Sequence, residues 1–195
     1  MMLRFPLPFV GVVLLLLGTL QRLTAQPKII VTDTVFIQAA EKRVNDLELA
    51  IKRIVNRDLS VDRRLEAVDY ATSLFASPER EFEVSNAHTG KTRTYKVGKY
   101  LSRLYHLDYE SVQIDWIHIE WARELERGPD GKYHGIIRLI QRFRGEREGY
   151  VYQDVTTKTM QVIVDIVTYP TGPNTSKRAV LVTLGDVRVV ETRAD

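Results

Sequence analysis

The chain has 195 residues, 44% hydrophobic and 27% charged, which suits one globular domain with a short N-terminal appendage. Cysteine is absent, which excludes disulfides, thiolate nucleophiles and thiolate metal sites together. The formal charge is +3, and setting aside Arg4 and Arg22 leaves 26 basic against 25 acidic residues, a balance with no electrostatic footprint for nucleic acid.

Met1 to Arg4 carries one positive charge, Phe9 to Leu20 is an apolar run, and Leu23-Thr24-Ala25 ends in a small residue before Gln26-Pro27. This is the tripartite form of a secretory signal peptide cut after Ala25. It assigns residues 1–25 to a leader, 26–33 to a short tether and 34–195 to a single domain. The alternative is an uncleaved anchor, the one case in which the chain would hold to a membrane. The 17 residues between Arg4 and Arg22 include Pro6 and Pro8 and fall short of the roughly 20 that a spanning helix needs.

Thr32-Asp33-Thr34 supplies capping residues, and Ile37, Ala40, Val44, Leu47, Ile51 and Ile54 then recur at helical spacing as one apolar stripe. With fewer than three full heptads, the stripe reads as a helix packed on its own domain rather than a coiled-coil seam. Ser60 is an N-cap, with Asp62 near the positive helix end, for a second helix reaching Pro78 whose buried face is Leu65, Val68, Ala71, Leu74 and Phe75. Glu81 to Val84 and Thr92 to Tyr95, separated by the turn-forming residues 86–90, make a hairpin. A third helix follows, with Val97, Leu101, Leu104 and Tyr105 on one side.

From Tyr109 the period becomes two. Val112 and Ile114 alternate in one phase while Ile117, Ile119 and Trp121 alternate in the other, so a β-bulge is expected near Trp116. The turn Gly128-Pro129-Asp130-Gly131 leads to a strand from Tyr133 to Phe143, and a second turn spans Arg144 to Gly149. A long strand from Tyr150 to Val167 has polar Asp154 to Lys158 in its middle, where a bend is expected. Thr168 to Ser176 reads as a loop, and Ala179 to Val190 as the final strand with a phase change at Gly185.

The order helix, helix, short hairpin, helix and four long strands is α+β, with three helices packed on a strongly curved, bulged antiparallel sheet. Three local features carry a resemblance: Leu65 to Phe75 before a strand, Val97 to Leu107 leading into Tyr109-Glu110-Ser111-Val112, and the strand Tyr150 to Lys158. On these the chain resembles the nuclear transport factor 2-like (cystatin-like cone) superfamily over about Ile37 to Glu191, and is similar to exported members from the Bacteroidetes group. The resemblance implies a cone-shaped domain whose hollow is filled in some members and holds a small apolar ligand or a catalytic carboxylate in others. Tyr70, Phe75, Phe82, Tyr105, Trp121, Tyr133, Phe143 and Tyr152 are the bulky candidates to line or fill it.

Catalysis of the isomerase type needs a carboxylate base and a neutral donor in an apolar pocket. Asp115, beside the expected bulge, with Tyr105 or Tyr70 as donor, is the arrangement that can be drawn, although an aspartate on a strand ordinarily faces solvent. His118 and His134, with Asp115 and Glu120 nearby, raise a metal hypothesis but lack ligand spacing, so no metal is assigned. Arg138, Arg142, Arg144 and Arg147 read as a solvated strand face offset by Glu146 and Glu148. The phosphate-loop, nucleophile-elbow and His-Glu-x-x-His motifs are absent, so no cofactor is expected.

The expectation is therefore an exported, non-enzymatic binding or interaction module of the periplasm or cell envelope. It would pair as a homodimer through the outer sheet face, with Ile136 and Ile140 or Val162 and Val164 on that face, or hold an envelope protein partner. The competing expectation is a small-molecule-binding protein or isomerase/cyclase-like enzyme using the cone interior. A hollow of roughly 300 Å³ or more, lined by converging polar groups, favours the second.

Overall fold

The computed structural model describes residues 34–172 and 175–194. The leader and tether, and Asn174 of the Asn174-Thr175-Ser176 glycosylation triplet, lie outside them. Three helices and six strands follow in the order α1 (Thr34–Val55), α2 (Val61–Ser73), β1 (Glu81–Asn86), β2 (Lys91–Lys96), α3 (Val97–Tyr105), β3 (Ser111–Arg127), β4 (Tyr133–Arg147), β5 (Tyr150–Gly172) and β6 (Thr175–Ala194). No described helix is long and apolar enough to cross a membrane.

The stripe on α1 does what its spacing dictates. Ala40, Val44, Leu47, Ile51 and Ile54 are all fully buried, and Ile37 is half-buried beside buried Phe36. Each buried side chain of leucine size contributes about 1.5–3 kcal/mol relative to exposure. Ser60 caps α2 by accepting from Arg63 N at 3.5 Å. That helix stops at Ser73, short of Pro78, because Leu74 and Phe75 leave it to join the sheet. Ala76 N donates to Leu184 O at 2.8 Å and Leu184 N to Leu74 O at 2.9 Å. Its buried residues are Ala67 and Ala71, so Leu65 is not part of the core as its spacing suggested and stands 45% exposed. Arg64 ties two helix ends together, donating to Ile54 O at 2.8 Å and Tyr105 O at 2.9 Å, where carbonyls lack helical partners.

The sheet runs β2-β1-β6-β5-β4-β3 and is mixed, not wholly antiparallel. β1 lies parallel to β6 through Phe82 and Val187, continuing the direction set by the Phe75–Leu184 bridge. All other neighbours are antiparallel. Trp116 pairs with Gln141 and His118 with Ile140, which leaves Ile117 as the extra residue of a bulge and 48% exposed. A second shift in register falls where Met160 pairs with Val187 but Val162 with Leu184, around Gly185.

Strand extends into both the expected turn at 144–149 and the expected loop at 168–176. β4 runs on to Arg147, so the turn is Glu148-Gly149 alone, both with positive φ (51° and 76°) as a two-residue type I′ turn demands. Thr168, Tyr169 and Pro170 pair with Arg178, Lys177 and Ser176, extending β5 and β6 almost to their connection. Pro170 is tolerated because β4 pairing ends at Val164, so β5 there has a neighbour on one side only.

The helices cover one face. On it lie Ile137, Leu139, Met160, Val162, Val164, Val182, Leu184 and Val187, all buried. Val162 and Val164 thus belong to the core. Ile136, Ile140 and Ile163, of opposite parity, are half-buried on the other face and outside the core cluster.

Candidate functional site

The strand alternation that buries Met160, Val162 and Val164 continues backwards along β5 to Lys158, Thr156 and Asp154, which are 2%, 2% and 5% exposed. Polar side chains therefore floor one end of the same face that elsewhere is aliphatic. Above them is a half-open hollow of about 420 Å³. Gln141 and Phe143 of β4 extend the floor, Val84 to Asn86 and Lys91, Arg93 and Tyr95 of β1 and β2 form one wall, and Tyr100, Arg103, Leu104, Leu107 and Tyr109 close over from α3 and the segment after it.

A hydrogen-bonded chain crosses this floor. Tyr152 OH donates to Asp154 Oδ2 at 2.7 Å, Thr156 Oγ1 to Asp154 Oδ1 at 3.4 Å, and Thr192 Oγ1 to Thr156 Oγ1 at 3.2 Å. Ser85 Oγ closes the run in a short contact with Thr192 Oγ1, in the sense that leaves it the donor. Burial holds the Asp154 carboxyl above its ordinary range, opposed by the bond from Tyr152 and the charge of Lys158. Burial, then the Asp154 charge, raises the Tyr100 phenol, and burial with the bond to Asp154 raises that of Tyr152.

Lys158 stands apart from that chain. Its Nζ lies 4.7 Å from the centroid of the Phe82 ring, which stacks on Tyr100 at 3.9 Å, and 6.0 Å from the centroid of Tyr100. Among the described residues no carboxylate comes within 4.0 Å of it. Burial pushes its ammonium down to about 8, although Asp154 and Glu83 pull the other way. Gln141, 6% exposed, has a buried Oε1 with no hydrogen-bond partner. Both side chains line the hollow. Its other ionised lining groups are Lys91, Arg93 and Arg103, against the single carboxylate of Asp154.

The bulky residues singled out by sequence are dispersed. Phe143 and Tyr152 line the hollow, and Phe82 backs Lys158. Phe75 is buried against β6, Trp121 packs on the core with Nε1 unpaired, and Tyr133 packs on Phe36 with ring centroids 5.4 Å apart. Tyr105 lies under the Arg64 guanidinium at 4.4 Å, and Tyr70 is 45% exposed on α2.

Asp115 lies at a second hollow, of about 440 Å³, between the end of α1 and the start of β3. Both its oxygens are engaged, Oδ1 by Lys52 at 3.0 Å and Oδ2 by Gln113 Nε2 at 2.7 Å. Lys52 also meets Glu48 at 2.8 Å, and these two bonds, Glu48 first, raise its ammonium. Neither Tyr105 nor Tyr70 lines this hollow. His118 contacts Glu120 at 3.3 Å while His134 contacts Asp130 at 3.0 Å, and they face Ile140 and Glu126 rather than each other. Among the described residues no three His, Asp or Glu side chains are placed to hold a metal. Arg138 pairs with Glu120 and Arg147 with Asp108.

Asp154, Thr156, Lys158, Gln141 and Tyr100 are the site residues that motif reasoning passed over. A usable signal existed, since 154, 156 and 158 share the phase of Met160, Val162 and Val164.

Fold and site together define a class: among the described residues, an α+β arrangement of three helices on one face of a six-stranded mixed sheet with a polar-floored hollow between them. The chain matches no family model, no curated protein and no solved structure.

Proposed function

We propose that this chain is a small-molecule-binding protein that uses the hollow beneath α3. The observation that carries the reading is the pairing of an open volume of about 420 Å³ with two buried polar side chains on its floor, Lys158, whose ammonium rests on the Phe82 ring, and Gln141, whose Oε1 has no hydrogen-bond partner. Buried polar groups are ordinarily satisfied, and a ligand supplies what the protein leaves open. The volume falls within the range of small-molecule sites, and apolar Leu104, Leu107, Ile114 and Phe143 offer the body of a ligand its contact. The element order supports the nuclear transport factor 2-like resemblance, and a curved, cone-shaped sheet is part of the same proposal. So is export through the N-terminal leader to the periplasm or envelope, which mass spectrometry of the mature N-terminus tests.

Displacement of an environment-sensitive dye by a panel of small amphipathic compounds tests the binding reading, with Leu107→Trp as a variant that fills the half-buried mouth. Displacement in the wild type and its loss in the filled variant are expected. A panel that displaces nothing from the wild type would sink the reading.

A second reading, an interaction module pairing as a homodimer or with an envelope protein, draws on Ile136, Ile140 and Ile163, half-buried on the face away from the helices. Light scattering that returns only monomer at micromolar concentration counts against self-pairing.

A further inference from the structure

We propose that the ligand is an organic anion, a small amphipathic carboxylic acid whose carboxylate seats on Lys158, with the acceptor Gln141 Oε1 left to a donor elsewhere on the ligand or to water. The inference rests on the binding reading above and names the chemistry of its ligand. On the floor of the hollow Leu139 pairs with Lys158 and Gln141 with Thr156, so Lys158 and Gln141 are diagonal neighbours on one face. Both side chains line the hollow, where Asp154 and Glu83 act on the ammonium only from beyond ion-pair distance. The nearest buried carboxylate, Asp154, already accepts from Tyr152 and Thr156. Glu83 is committed to Arg188 at 3.0 Å and to the backbone N of Val189 at 2.9 Å.

A buried ammonium over an aromatic ring, without a carboxylate, is costly in the empty protein, and an incoming carboxylate converts that cost into a charge-assisted hydrogen bond. Arg93 and Arg103, exposed at the wall and roof, bias the same hollow toward anions before contact. A cationic ligand would meet four positive side chains and one carboxylate that burial makes reluctant to ionise. A ligand with neither charge would leave Lys158 as it is.

The titratable groups that act on the ammonium are Asp154 on its own strand, Glu83 of β1 through its charge, and Tyr100 on α3. With the ammonium held near 8, it is charged at pH 7 and is lost above that value. Binding of a permanent carboxylate therefore weakens as pH rises beyond about 8, approaching tenfold per pH unit.

Calorimetry of the described domain within the full chain, with decanoate, decanol and decylamine as probes, tests the assignment. At pH 7 decanoate is expected to bind at least about tenfold tighter than decanol, and decylamine weakest. Lys158→Met is expected to bring decanoate down to the level of decanol and leave decanol binding intact, which also shows that the variant is folded. Lys158→Arg is expected to keep the preference, and Arg93→Gln with Arg103→Gln to weaken it only slightly. Equal binding of decanoate and decanol by the wild type overturns the anion assignment and leaves the binding reading standing. An undiminished decanoate preference in Lys158→Met overturns the placement on Lys158. Failure of all three probes to bind the wild type overturns the proposal, and dye displacement by other compounds then decides the binding reading separately.

Discussion

Replacing Lys158 by methionine should make the empty protein more stable while removing the group we assign to ligand. Lys158 is 2% exposed, and burial takes its ammonium from an ordinary 10.5 to about 8. At about 1.4 kcal/mol per pH unit, holding the charge in the fold costs about 3 kcal/mol at pH 7. Because the folded value lies below the unfolded one, the unfolded chain binds more protons between pH 8 and 10.5, and stability rises with pH across that window. The cost is fully present below pH 8, and about 2 kcal/mol of it is lifted between pH 7 and 9.5. Methionine keeps the unbranched stem against Phe82 and carries no charge. Urea denaturation followed by the fluorescence of Trp116 and Trp121, at pH 7, 8.5 and 9.5, measures both proteins. The variant should start about 2–3 kcal/mol more stable and lack the rise seen in the wild type. The raised phenols of Tyr100 and Tyr152 are common to both proteins and cancel in the difference. A variant less stable than wild type at pH 7, or parallel pH profiles for the two, would refute the reasoning.

Tyr152→Phe removes the hydroxyl that donates to Asp154, so the Asp154 carboxyl should titrate at still higher pH by carbon-13 NMR, with a stability loss of about 1–2 kcal/mol. Gly135→Ala places a Cβ 2.7 Å from Trp121 Cζ3 and 3.2 Å from the Arg123 carbonyl oxygen, and should cost about 1–3 kcal/mol in denaturant unfolding. Asp115→Asn loosens a partly exposed ion pair with Lys52, so a change below about 1 kcal/mol and unaltered decanoate affinity are expected, and lost affinity would return Asp115 to the site. Glu148→Asn suits the positive φ of the β4–β5 turn and should raise the thermal midpoint, a gain of about 0.5–1 kcal/mol.

The local grammar of the chain was readable from its residues. The α1 stripe, the Ser60 cap and the extra residue at Ile117 all follow from periods of 3.6 or two and from side chains bonding to nearby backbone. The same grammar misjudged Leu65, because α2 meets its neighbours through Ala67 and Ala71 and leaves the larger residue outside. It also took Thr168 to Ser176 for a loop, because proline and glycine mark turns only where both strand edges need partners.

What the residues alone determined is the set of elements and the two phases of each strand, since alternation is a property of neighbouring bonds. What they could not determine is which phase faces the helices, since β4 and β5 carry apolar residues in both. That choice is made by α1 packing across the sheet, and by the segment after α2 joining β6 in parallel through Phe75 and Leu184. Once Met160, Val162 and Val164 turn inward, the backbone pleat turns Asp154, Thr156 and Lys158 inward with them. The candidate site is a consequence of that packing, because polar residues that read along the chain as a bend in a long strand become a buried floor only when helices roof them over.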